Sequence, residues 1–298
     1  MLSSLLLFLH ERRVSQLNDS EPLPLRERDV RAWLFDLDGT LYYGGEAAPG
    51  AKALLDYLRV SGKPATFVTN NSRHSSADIM KRLDGMGLSV PRDSIITATE
   101  YTGRYLLERY GRLQLCVCGS KPFEEAHLKA GHAVCPLEEE ADIDAVVVGL
   151  DDAFTYRKLE RIVQAVCNGA RLIAANADLR HPGTGGRVVP ETGALVAAIE
   201  QASGRKAEYV GKPNPYLFRC ALEACAVSPE YAVMVGDNYD TDILGGKQAG
   251  LNTVWLSGLS APLEESDAVL AMQRPLADLI VPNLIELYCQ MGGNPHER

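Results

Sequence analysis

Short apolar runs recur along this chain, each stopping abruptly at a polar or acidic residue. Ala32-Trp33-Leu34-Phe35 ends at Asp36, and Ala65-Thr66-Phe67-Val68 ends at Thr69. Tyr231-Ala232-Val233-Met234-Val235 leads to Gly236-Asp237, and Ala145-Val146-Val147-Val148 leads to Gly149-Leu150-Asp151. Runs that are apolar on both faces of an extended chain belong to buried parallel strands. Helical spacing fills intervals between them, as at residues 51–60 and 76–87, the second closed by Gly87 as a C-cap. Alternating strand and helix predicts an α/β fold with a parallel sheet. Ligands bind beyond the carboxyl ends of such strands. Asp36, Thr69 and Asp237 therefore converge on one spot if their strands are neighbours.

Between about residues 111 and 206 the chain carries strands (113–117, 145–148, 172–175) and helices (156–167, 193–202) of its own. This predicts a second α/β domain inserted at 111–206 into a core made of 29–110 and 207–298, with further strands at 253–256 and 279–281 and a helix at 284–291. Residues 1–28 precede the core. There Leu2, Leu5, Leu6 and Leu9 share one helical face. The run Leu5 to Leu9 is far too short for a bilayer, which takes ~20 residues, and it lacks the basic segment and small-residue site of a secretion signal. It reads as an extension that docks on the body or on a partner subunit.

At 298 residues, 46% hydrophobic and 23% charged, the chain can bury a sizeable core in about two domains. A net charge of −9 argues against nucleic acid and anionic membrane surfaces as partners. It also requires that any anionic substrate meet locally placed cations. Seven cysteines in a chain of this length read as reduced thiols of a cytoplasmic protein. Cys116, Cys118, His127, His132 and Cys135 lie close in sequence, but the C-x-C spacing and the strand-like run through Val117 disfavour a zinc site.

The chemistry lies in four loops. In Asp36-Leu37-Asp38-Gly39-Thr40-Leu41 two carboxylates at i and i+2 project to one side of an extended chain. One can attack phosphorus while the other handles the leaving group's proton, and Gly39 permits a tight turn. Alone, the pair would equally suit a surface turn or the metal-binding pair of a glycosyltransferase. Thr69-Asn70-Asn71-Ser72 offers a hydroxyl and amides to phosphoryl oxygens. Lys212, in Val210-Gly211-Lys212-Pro213, offers a cation. In Gly236-Asp237-Asn238-Tyr239-Asp240-Thr241-Asp242-Ile243, Asp237 and Asp242 supply the hard oxygen ligands that suit Mg²⁺, whereas Asp240 fits an acidic helix start. Two carboxylates ~4 Å apart repel by about 4 kcal/mol at an effective dielectric near 20. Such a cluster needs a divalent cation and Lys212. A DxD-type glycosyltransferase leaves Lys212 and residues 236–242 unexplained. A regulatory protein on an inactive phosphatase fold would have lost one of these carboxylates, and none is lost.

D-L-D-G-T-L-Y at 36–42, V-T-N-N-S at 68–72, G-K-P at 211–213 and G-D-N-Y-D-T-D-I at 236–243 resemble the four motifs of the haloacid dehalogenase superfamily. More narrowly, they are similar to its para-nitrophenyl phosphatase branch, with NagD-type nucleotidases and the phosphoglycolate and pyridoxal phosphate phosphatases. The resemblance runs from about Arg31 to Leu287, and V-V-V-G-L-D-D-A-F-T-Y at 146–156 and A-N-A-D at 175–178 extend it to that branch's large cap. It implies a Rossmann-like core with an α/β cap and a Mg²⁺-dependent phosphatase acting on a small phosphorylated metabolite. It implies Asp36 as nucleophile and Asp38 as general acid/base. Mg²⁺ would lie on Asp36, the carbonyl of Asp38 and Asp237, with Asp242 supporting from behind. Thr69, Asn70 and Asn71 would bind phosphate and Lys212 would bridge phosphate and nucleophile. The cap loop 176–186 would choose the substrate, with His181 as its candidate contact, and a homodimer would form through the cap. Pro190-Glu191-Thr192-Gly193 departs from the branch's usual Pro-Gly-Thr/Ala-Gly.

Overall fold

The computed structural model describes residues 29–136, 142–182, 187–258 and 277–294. The amphipathic leucines of 1–28 lie outside the described residues. Six parallel strands form the core sheet, in the order Leu279–Val281, Asn252–Leu256, Ala232–Gly236, Ala32–Phe35, Ala65–Thr69 and Ile95–Thr97. The period of two along Ala32–Phe35 explains its burial on both sides. Trp33 and Phe35 pack into one apolar cluster with Phe67 and Leu54, while Ala32 and Leu34 pack into another with Val68 and Phe218.

From Ala32–Phe35 the chain winds outward first to Ala65–Thr69 and Ile95–Thr97. After the insert it winds the other way, through Ala232–Gly236 to Leu279–Val281. The strand order therefore reverses between Ala32–Phe35 and Ala232–Gly236, and reversal opens a crevice at the carboxyl ends. The helices are started by side chains placed for the purpose. Ser75 and Asp78 form a reciprocal capping box at Ser76–Gly85, and Thr97, Ser120 and Thr155 cap three more helices, each cap contributing about 1 kcal/mol.

The insert builds its own five-stranded parallel sheet, ordered Glu208–Tyr209, Arg171–Ala174, Ala145–Val148, Gln114–Cys118 and Ala133–Cys135. Glu208–Tyr209 pairs with Arg171–Ala174, so this sheet runs past residue 206, where the sequence pattern placed the end of the insert. Part of the expected loop 176–186 is a strand: Arg180–Pro182 pairs antiparallel with Val188–Pro190. No helix among the described residues is long and apolar enough to cross a membrane.

Candidate active site

The crevice at the strand reversal holds the residues that the sequence singles out. Asp36 follows Ala32–Phe35, and its backbone N–H donates to Val235 O at 2.9 Å, fixing it beside the strand that leads to Asp237. Lys212, 2% exposed, donates from Nζ to Asp36 Oδ1 at 2.6 Å, Asp242 Oδ1 at 2.7 Å and Val68 O at 2.9 Å. Burial opposes the charge on Lys212, but Asp242 and Asp36 more than offset it and hold its pKa above the ordinary lysine value.

Asp36, Asp237 and Asp242 each offer a carboxylate oxygen within 4.8 Å of the others. Asp237 Oδ1 accepts from the Thr40 hydroxyl at 3.2 Å, and its main-chain carbonyl accepts from Trp255 Nε1 at 3.0 Å. Burial, reinforced by the charge of Asp36, pushes the Asp237 carboxyl up to about 6. Burial also pushes Asp242 up, against the pull of Lys212. Asp242 uses Oδ1 on Lys212 and Oδ2 on the backbone N–H of Asn238, at 3.2 Å. It therefore orients its neighbours, while Asp36 and Asp237 face the crevice. Glycine makes the approach possible: a Cβ on Gly39 (φ +86°) would lie 2.5 Å from Asp237 Oδ2, and one on Gly236 would lie 2.2 Å from Asp242 Oδ2. An all-oxygen, multiply anionic donor set with only one lysine against it fits a hard divalent cation such as Mg²⁺.

The other sulfur and nitrogen candidates do not converge; among the described residues the three aspartates are the one such group. His132 is bound between Leu113 N and Gly103 O, and His127 Nδ1 sits 2.7 Å from Phe123 O. Cys116, Cys118 and Cys135 are buried and form no disulfide with one another.

Asp38 opens onto the crevice. The protein crowded around it pushes its carboxyl up, against the hydrogen bond from Tyr42. Thr69 accepts from Asn71 N at 3.1 Å, which leaves its own O–H to donate. Asn70 and Asn71 lie in the same loop, with their side chains engaged inside the protein. Asn70 Oδ1 accepts from Lys212 N at 2.7 Å, and Nδ2 donates to Lys212 O and to Asp178 Oδ2, both at 3.0 Å. Asn71 Oδ1 accepts from the backbone N–H groups of Arg73 and His74. These amides shape the loop and fasten Lys212.

The insert meets this loop through groups that lie in the quoted motifs but for which sequence reasoning named no mutual contact. Asn176 Nδ2 donates to Asn70 O at 2.6 Å, the Ser72 and Thr192 hydroxyls meet at 2.8 Å, and Ser72 Oγ accepts from Leu150 N at 3.1 Å. His181 stands on the antiparallel hairpin with Nδ1 2.6 Å from Glu191 Oε1. The departure at Glu191 thus supplies the partner of His181. Burial pushes the Glu191 carboxyl up, and His181 opposes this.

A carboxylate beside a buried ammonium, a carboxyl open to the crevice and an acidic cluster that could hold a cation are parts that phosphoryl transfer can use. A family model described as Haloacid dehalogenase-like hydrolase matches residues 33–133, and one described as HAD-hydrolase-like matches 209–287. The chain is 32% identical over 238 residues to an acid sugar phosphatase of Staphylococcus aureus, spanning 80% of this chain and 90% of that protein. Among solved structures it resembles a 4-nitrophenylphosphatase of Thermotoga maritima (TM-score 0.78, 32% identity, 88% of this chain and 98% of that one). NagD of Escherichia coli K-12 is similar as well (TM-score 0.75, 32% identity, 86% and 97%).

Proposed function

This chain belongs to the haloacid dehalogenase-like hydrolases and is a phosphomonoesterase, and on that premise we propose a Mg²⁺-dependent phosphatase that works through a phosphorylated Asp36. The observation that carries the reading is the placement of Asp36 at the strand reversal, held by Lys212 and facing Asp237. Its substrates are small phosphomonoesters of the size of 4-nitrophenyl phosphate, phosphoglycolate, pyridoxal phosphate, a nucleoside monophosphate or a sugar phosphate. The acid sugar phosphatase and nitrophenylphosphatase among its relatives support that range.

Asp36 attacks phosphorus through a carboxylate oxygen. As the bond to the leaving oxygen breaks, the Asp38 carboxyl gives that oxygen its proton, and the alcohol departs. Water then attacks phosphorus, Asp38 takes its proton, the acyl-phosphate bond breaks, and inorganic phosphate leaves with Asp36 regenerated. Lys212 holds the nucleophile oriented and offsets charge, and the Thr69 hydroxyl donates to a phosphoryl oxygen. Asp36, Asp237 and the carbonyl of Asp38 would hold Mg²⁺, which when bound supplies positive charge against the phosphoryl oxygens.

Purified protein should hydrolyse 4-nitrophenyl phosphate with Mg²⁺, stop on chelation and recover on re-addition. Turnover unchanged by a chelator would overturn the metal dependence. Assaying the five substrate classes above side by side then ranks them. We further propose that His181, oriented by Glu191, contacts the substrate's leaving group. His181→Ala should reorder the ranking while costing little on 4-nitrophenyl phosphate; an equal loss on every substrate would count against that role.

A further inference from the structure

A carboxyl that opens onto a crevice rotates freely unless something holds one of its oxygens, and Asp38 is such a group. The hold comes from four residues down the chain. Tyr42, 1% exposed, donates its hydroxyl to Asp38 Oδ2 at 2.6 Å. The turn between them is tight: Gly39 N donates to Tyr42 O at 2.9 Å, and Thr40 N and Leu41 N both donate to Leu37 O. Tyr42 also begins a two-residue strand paired with Glu46–Ala47, and Arg82 clamps that hairpin by donating to Gly44 O at 2.6 Å. The Arg82 guanidinium lies 4.7 Å from the centre of the Tyr42 ring. The ring that carries the hydroxyl is thus held by burial and by a guanidinium over its face.

We propose that Tyr42 is a positioning residue for Asp38. By occupying Oδ2 it turns the other oxygen, Oδ1, toward the leaving group, and Arg82 keeps Tyr42 in place. The inference rests on the acid–base reading of Asp38. It deepens that reading by stating which oxygen does the work and what aims it. The proton passes from Asp38 Oδ1 to the leaving oxygen as its bond to phosphorus breaks, and returns from water in the second half of the cycle. The alternative is that a buried phenol has merely found a partner, as buried tyrosines usually do.

Leaving-group chemistry separates the two. A nitrophenolate departs with little help from an acid, whereas an alkoxide needs the proton. Tyr42→Phe keeps the ring and its packing and removes one hydroxyl. kcat/KM is measured with Mg²⁺ on 4-nitrophenyl, phenyl and ethyl phosphate, for wild type, Tyr42→Phe and Asp38→Asn. Positioned acid–base groups supply ~10²–10⁴-fold, so the Tyr42→Phe loss should climb from about threefold on 4-nitrophenyl phosphate to about thirtyfold or more on ethyl phosphate. Because the climb is a ratio within one preparation, the folded fraction cancels. A loss equal across the three substrates, or no loss, would overturn the positioning role. Asp38→Asn should show a steeper climb. A flat response there would overturn the acid role of Asp38 itself, which distinguishes that failure from the failure of Tyr42.

Discussion

Lys212→Met should both inactivate the enzyme and lower its melting temperature, by about 6–20 °C in chelator. The lysine is buried against two carboxylates, at 2.6 Å and 2.7 Å. Removing one partner of a buried ion pair costs about 3–5 kcal/mol, because the remaining charge is left uncompensated, and for a domain of this size 1 kcal/mol moves the midpoint by about 2–4 °C. The deficit should depend on pH with a definite sign. Burial holds the folded-state pKa of Asp237 and Asp242 above the ordinary carboxylate value, near 6 for Asp237. An unfolded aspartate titrates near 3.9, and Lys212 lowers both folded-state values, so without it the folded variant binds protons more tightly than the wild type and its deficit widens as pH rises from about 4 through and beyond about 6. Scanning calorimetry across that window checks it. A variant that melts like the wild type at pH 8 would mean that the lysine does not compensate the acidic cluster. On activity, a buried cation aimed at the reacting groups is worth about 10²–10³ in kcat.

Asp36→Asn should abolish turnover while leaving the melting temperature nearly unchanged or raised. The amide has the shape of the carboxylate but lacks the charged oxygen that attacks phosphorus. Loss of a covalent nucleophile elsewhere costs about 10⁶ in kcat. Stability moves differently from Lys212→Met. Three aspartates share the crevice, with oxygens within 4.8 Å of one another, and neutralising one relieves repulsion while Lys212 keeps Asp242 as its partner. Two inactive variants with opposite thermal behaviour would show negative charge in surplus in the crevice and positive charge scarce. An Asp36→Asn protein that still turns over 4-nitrophenyl phosphate would rule out the covalent route.

The sequence made legible those parts of the fold whose apolar pattern is strong. The strands Ala32–Phe35, Ala145–Val148 and Leu279–Val281 fall where their runs predict, as does the helix Tyr156–Cys167. The helix Ala98–Tyr110 escaped notice because most of the face it buries is small or polar, with Ala98, Thr99, Thr102 and Gly103, and large residues join it only at Tyr105 and Leu106. A Cβ on Gly103 would sit 3.1 Å from the Ala130 Cβ, so glycine is there for close helix packing, which mimics a helix breaker in sequence. The hairpin at Arg180–Pro182 escaped for a similar reason: Arg180-His181-Pro182 has no alternation to read.

In the site, Asp36, Asp237 and Lys212 stood out because each follows or adjoins a strong strand signal or completes a charge requirement. Tyr42, Asn176, Asp178 and Glu191 lay inside the quoted segments without a role of their own, because what distinguishes them is a partner. Tyr42 matters for the Asp38 oxygen that it holds, and Asp178 for an asparagine 108 residues away. Asn70 and Asn71 show the converse. Their types suited phosphate binding, and the structure engages their side chains in fastening Lys212 and shaping the turn.

Acid quench during turnover of 4-nitrophenyl phosphate with Mg²⁺, followed by peptide mass spectrometry, tests the covalent claim most directly. One phosphoryl group on the peptide carrying Asp36, labile in base and missing from the Asp36→Asn protein, is the predicted result. Full turnover with that peptide unmodified at every quench time, or a phosphoryl group on a different aspartate, would contradict it.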